Sequence, residues 1–147
     1  MSGARHRRKG GRLEREVVAR HRALGIHIPE TGSLSPEACD DSIQRARAFF
    51  ARHFSEEEYR LATCGSWLLD PQLADYLPET SNIIRFQRRF QIMPVSWDGD
   101  RDMFRYVFGR PTIQLDGLPQ ETALQRAIVQ HLRSGRHWVG RSGWFRL

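Results

Sequence analysis

The stretch LGIHIPETGSLSPEACDDSIQRARAFF (24–50) sets the strongest limit on the fold. Leu24, Ile26 and Ile28 alternate with Gly25 and His27, the period of a half-buried strand, and Pro29 ends it. Thr31-Gly32-Ser33 reads as a turn. Ser35 then stands as N-cap and Pro36 as first residue of a helix over 36–54. Along that helix Cys39, Ile43, Ala46 and Phe50 share one face, while Asp40, Gln44 and Arg47 point away. A short strand that turns directly into an amphipathic helix belongs to a layered α/β arrangement.

The rest of the chain extends this pattern. Before it, RLEREVVARHRALG (12–25) has helical spacing, with Gly25 as its stop. After it, a strand is expected over Tyr59–Trp67, then a short helix from Asp70-Pro71 to Leu77 with Asp70 as N-cap. Ser81-Asn82 opens another short turn or helix. Residues 88–95 alternate, Asp98-Gly99-Asp100 reads as a hairpin turn, and MFRYVFG (103–109) reads as the return strand. A last helix runs from about Gln120 to Ser134, with Leu124, Ile128 and Leu132 on one face and Gly135 past its end. The expected order is helix, strand, helix, strand, helix, hairpin, helix: a mixed α/β (α+β) fold with helices on a partly antiparallel sheet.

At 147 residues, with 39% apolar and 10% aromatic residues, the chain suits one folded domain. No apolar run approaches the roughly 20 residues of a membrane span, and no apolar stretch follows the N-terminal charges as in a secretory signal. Cys39 and Cys64 have no metal or redox spacing, so a reduced cytoplasmic protein is expected. Charge is concentrated at one end. Residues 1–24 hold eight basic residues against Glu14 and Glu16, an excess equal to the whole formal net charge of +6. Residues 25–147 carry fifteen arginines and fifteen acids. Arg5, Arg7, Arg8, Lys9 and Arg12 could therefore contact nucleic acid through its phosphates, or simply be a solvated terminus.

Three stretches are candidates for chemistry. The turn at Gly32 into the helix start at Ser35 presents backbone N–H groups and a positive helix end, suited to a pyrophosphate or to an ordinary capped turn. His27 stands at its mouth, where a general base is useful. The histidines at 6, 21, 27, 53, 131 and 137 form no zinc-binding spacing, so no metal is expected. Arginine and aromatic residues interleave in RFQRRF (85–90) and GRHWVGRSGWFRL (135–147), a pattern of nucleic-acid binding or of strands with one core face.

Four segments taken together carry a resemblance: LGIHIPETGSLSPEACDDSIQRARAFF, TCGSWLLDPQL, LPETSNIIRFQRRF and LPQETALQRAIVQHLRSG. Over about residues 24–144 the chain resembles the GNAT-like C-terminal domain of bacterial acyltransferase-domain proteins. The resemblance implies a partial acetyltransferase-like mixed sheet flanked by helices, behind a basic N-terminal helix over 1–23. It implies an acyl-CoA (acetyl-CoA) donor and an amine acceptor. The strand near Ile28 would meet the pantetheine arm, and the turn at Gly32, Ser33, Leu34 and Ser35 would receive the pyrophosphate. His27 would act as base, and Cys64 or Ser66 would lie near the acyl group and the leaving thiolate. Many relatives would carry a larger polar residue such as histidine where Gly65 stands. The first strands of such a fold are expected from another polypeptide, a homodimer partner or a separate N-terminal domain. A second resemblance is confined to ARHRRKGGRLEREVVARHRALGIH (4–27), which is similar to the first helix of phage resolvase-like PD-(D/E)xK nucleases, with Glu14 as the helix carboxylate. No lysine follows Lys9, so the lysine of such a nuclease site is missing. The expected function is acyl-CoA-dependent N-acyl transfer, completed by a partner; the alternative is a non-catalytic binding module whose basic leader contacts nucleic acid.

Overall fold

The computed structural model describes residues 22–147. Arg5, Arg7, Arg8, Lys9, Arg12 and nearly all of the expected N-terminal helix lie outside these residues. Among the described residues four strands, β1 (Arg22–Gly25), β2 (Tyr59–Ser66), β3 (Gln91–Asp98) and β4 (Val139–Arg146), form one sheet in the order β1-β2-β4-β3. β1 and β2 are parallel, and α1 (Pro36–His53) is the crossover that such a pair requires. β4 runs antiparallel to both β2 and β3. Thus residues 22–25, which the helical spacing claimed up to Gly25, are strand, and the strand expected to reach Ile28 stops pairing sooner.

Local chemistry explains most element boundaries. Ser35 Oγ accepts the Ala38 N–H at 3.2 Å and Pro36 opens α1. Two 3-10 turns, Trp67–Leu69 and Pro71–Asp75, are capped by Ser66 and Asp70. Ser81 caps α2 (Asn82–Gln87). In α4 (Ala123–Arg133), Thr122 and Gln125 form a reciprocal capping box.

The segment 98–109 departs from expectation. It is α3 (Asp100–Phe108), closed by Gly109 at φ 64°, and not the return arm of a hairpin. Asp98 Oδ1 accepts the Asp100 N–H at 3.0 Å, which turns the chain into the helix. Phe104, Tyr106 and Phe108 alternate, but Met103, Phe104, Val107 and Phe108 also share a helical face. Burial follows the second pattern: Met103 and Phe104 are fully buried and Tyr106 is exposed. The true partner of β3 is β4, the basic and aromatic segment near the end of the chain. Within β3 the register breaks between Ile92 and Ser96, around Pro94, as an edge strand tolerates.

Two apolar clusters hold the layers together. One joins α3 and α4 to the 67–77 segment through Trp67, Leu73, Met103, Phe104, Ile128 and Trp138. The other joins α1 and α2 to the sheet through Cys39, Cys64, Leu69, Phe86 and Phe90. Buried polar groups fasten the entry to β4. Asp70 Oδ2 accepts the Val139 N–H at 2.8 Å, and Asp100 Oδ1 accepts the Trp138 N–H at 2.7 Å. His131 stacks on Trp138 at 3.9 Å and contacts Tyr76 Oη and the His137 carbonyl. Its Nε2 faces a carbonyl, which only accepts, so Nε2 carries the proton. Among the described residues no helix is long and apolar enough to cross a membrane.

Candidate functional site

The parallel strands β1 and β2 separate at their carboxyl ends. Their last backbone link is the Ile26 N–H donating to the Thr63 carbonyl at 2.7 Å. Beyond it His27 and Ile28 leave the sheet, and a cavity of about 520 Å³ opens between the ends of the two strands. Open α/β sheets leave their binding crevices at the carboxyl ends of strands. The size falls within the usual range for small-molecule sites, about 300–1,000 Å³.

Apolar side chains make much of the wall: Ile28 and Leu34 from the β1–α1 loop, Leu68, Ile83 from α2, Val107 from α3 and Leu124 from α4. His27, Glu30, Ser66, Asp102 and Gln125 supply polar groups, and Trp97 and Tyr106 add aromatic rings. Trp97 is held by two glycines. A Cβ at Gly140 would lie 2.0 Å from its ring, and one at Gly65 would lie 3.4 Å from it. The indole therefore rests on bare backbone of β4, beside the small floor residue of β2.

Of the residues singled out from the sequence, His27, Ile28, Gly32, Leu34, Cys64 and Ser66 line this cavity, whereas Ser33 and Ser35 do not. Gly32 N–H donates to the Pro29 carbonyl at 3.3 Å, and a Cβ there would meet the Pro29 ring at 2.6 Å, so the turn requires glycine. Ser33 Oγ accepts the Ser35 N–H at 3.1 Å, and Ser35 Oγ is taken by Ala38. Among the described residues the Ser33 and Leu34 amides have no partner. His27 is exposed at the mouth. Cys64 is buried, and burial pushes its thiol pKa up to about 11. It is a thiol at neutral pH, which argues against a covalent role. Ser66 Oγ accepts the Leu68 N–H at 3.1 Å, leaving its own hydrogen free to donate.

Sequence reasoning missed Trp97, Asp102, Tyr106, Val107 and Leu124 as cavity residues; for Asp102, Tyr106 and Val107 the reason is that 98–109 was read as a hairpin turn and return strand. The acidic pair Asp100 and Asp102 ahead of the apolar pairs Met103/Val107 and Phe104/Phe108, with Gly109 behind, was the available helix signal.

Comparison with known proteins gives the family and fold. A family model described as the GNAT-like C-terminal domain matches residues 4–145. The crystal structure of an acyltransferase in complex with decanoyl-CoA superposes with a TM-score of 0.81 at 45% identity, covering 88% of this chain and 41% of that one. An acyltransferase in complex with decanoyl-CoA and teicoplanin gives 0.78 at 45% identity, covering 84% of this chain and 40% of the other. One in complex with CoA and 10C-teicoplanin gives 0.78 at 43% identity, with the same coverage of 84% and 40%. This chain spans about two fifths of the length of these acyltransferases. No curated protein matches it. With nearly its whole length matched by the family model, the chain belongs to the GNAT-like C-terminal domain family.

Proposed function

We propose that the chain is the acyl-CoA-binding part of an N-acyltransferase that works in the cytoplasm on an amine acceptor. The observation that carries this reading is the parting of β1 and β2 into a cavity with an apolar wall. It is supported by similar acyltransferases that bind decanoyl-CoA, CoA and teicoplanin. The residues fit a CoA thioester. The free backbone of His27 and Ile28 suits the amide-rich pantetheine arm, and the unpartnered Ser33 and Leu34 amides before α1 suit a pyrophosphate. Ile28, Leu34, Ile83 and Leu124 suit an acyl chain longer than acetyl.

In this reading the thioester supplies the activated acyl group, and the chain's residues manage protons and orientation. His27 takes the proton from the acceptor ammonium, freeing the nitrogen lone pair to form the C–N bond. Backbone N–H near Ile28 steadies the carbonyl oxygen as negative charge grows on it. As the C–S bond breaks, the Ser66 hydroxyl is placed to give a proton to the sulfur and to recover one from the acylated nitrogen, which sheds its second proton on becoming an amide, with Cys64 a neutral thiol beside it. The products are an amide, free CoA and one proton, held first on His27. β1 has a sheet neighbour on one side alone among the described residues, and the relatives are more than twice as long. Strands such as those in the rest of the longer relatives would complete the acceptor side.

Calorimetric titration with acetyl-CoA and decanoyl-CoA tests the reading. Saturable binding, tighter for decanoyl-CoA, is expected in the wild type. Ser33→Glu adds a negative charge at the turn without the Pro29 clash of position 32 and is expected to weaken both ligands by at least about tenfold. Absence of binding by either thioester would refute it.

A further inference from the structure

Gly65 is a glycine that the fold does not ask for. It lies inside β2, paired with Ser142 of β4, where a glycine weakens a strand. Its φ is not positive, so its backbone conformation is open to other residues. Nor does a neighbour crowd it: a Cβ there would meet the Trp97 ring at 3.4 Å and Ser142 Oγ at 3.8 Å, which are ordinary contacts. Gly140 is the opposite case, because the same ring lies 2.0 Å from where its Cβ would stand. What Gly65 adjoins is the cavity, which it lines between Cys64 and Ser66 and together with Trp97. A strand glycine with no conformational or packing cause marks a place where a ligand passes close to the backbone.

Trp97 bounds that place. It pairs with Gly140 on β4, two residues from Ser142 and on the same sheet face. From the edge strand β3 its indole runs across β4 towards β2 and ends over Gly65. The ladder holds its backbone, and the bare surface of Gly140 seats its ring. We propose that Gly65 and Trp97 together set the upper size limit of the acyl group: the chain runs over the bare backbone of Gly65 and ends against the indole. This rests on the acyl-transfer reading, which puts the acyl group beside Cys64 and Ser66. Enlarging residue 65 shortens the chain that the cavity takes, and cutting back residue 97 lengthens it.

The test is calorimetric titration of the full chain with free CoA and with acetyl-, decanoyl- and tetradecanoyl-CoA, each below its micellar concentration. In the wild type decanoyl-CoA is expected to bind most tightly of these thioesters. Gly65→Leu is expected to weaken decanoyl-CoA by at least about tenfold, while acetyl-CoA and free CoA change by less than about threefold. Gly65→Ala, which the space beside the indole admits, is expected to fall between Gly65→Leu and the wild type. Trp97→Ala is expected to shift the preference the other way, raising tetradecanoyl-CoA relative to decanoyl-CoA by at least about tenfold. Trp97→Phe, which keeps part of the wall, is expected to shift it less. A wild-type ranking kept by both Gly65→Leu and Trp97→Ala, with binding intact, would overturn the proposal and leave the acyl-transfer reading standing. So would a loss in Gly65→Leu that free CoA shares equally. Absence of binding by every thioester in the wild type would overturn both.

Discussion

Asp100 and Asp102 sit two residues apart in the first turn of one helix, yet they belong to different regions of the molecule. Asp100 is buried and saturated, one oxygen on Trp138 N–H and the other on His137. Asp102 is partly exposed, faces a cavity and has no partner among the described residues. Asp70 repeats the first case. It is fully buried and accepts from the Gln72 backbone, the Gln72 side chain and Val139 N–H. Buried carboxylates that fasten backbone amides hold the start of β4 in register. Carboxylates left open on an apolar-walled cavity contribute nothing comparable to the fold and are available to a ligand.

The largest expected effect separates the two groups outright. Asp100→Ala and Asp70→Ala each strand buried amides and should cost on the order of 3 kcal/mol in urea denaturation. Asp102→Ala should stay within about 0.5 kcal/mol. A large loss at Asp102 would break the comparison. Next in size is Gly140→Ala, whose new Cβ cannot coexist with the Trp97 ring. It should cost about 1–3 kcal/mol and displace the indole, with a shift in tryptophan emission as the sign that the cavity wall has moved.

How legible these regions were in the sequence follows the same division. Caps are local, and Ser35, Asp70 and Ser81 all cap the elements expected of them. The cavity residues of the β1–α1 loop and β2 were legible too, because His27 to Leu34 and Cys64 to Ser66 lie in two short runs. Asp102 and Tyr106 were not, since Phe104, Tyr106 and Phe108 satisfy a strand period and a helix period at once. The acidic first turn and Gly109 tip the balance towards the helix, and the full burial of Met103 agrees with it. For β4 (Val139–Arg146) a strand with one core face was one of the two readings of 135–147, but its glycines hid where it pairs. A Cβ at Gly143 would lie 2.9 Å from Phe90 Cβ, so a neighbour's ring fills the place where a strand side chain would have signalled the strand.

A smaller effect sharpens the saturated side. The hydrogen bond and charge of Asp100 raise the His137 pKa above its ordinary value near 6.5. A raised pKa means that the folded state holds the proton more firmly than the unfolded state. The resulting stability is present in full below pH about 6.5 and is lost as pH rises through the folded value. Urea midpoints should therefore fall modestly between pH 6 and pH 9, and His137→Gln should flatten that trend. His137 is exposed, so solvent screening keeps the effect small.

The most direct test of the central claim is to map decanoyl-CoA onto the isotopically labelled chain by amide chemical shifts. The account predicts saturable changes at Ile26–Ser35, at Gly65 and Ser66, and at Trp97 and Asp102, with little change at Phe49–Phe54 near the far end of α1. Changes confined to that exposed aromatic end, or none at saturating ligand, would contradict it.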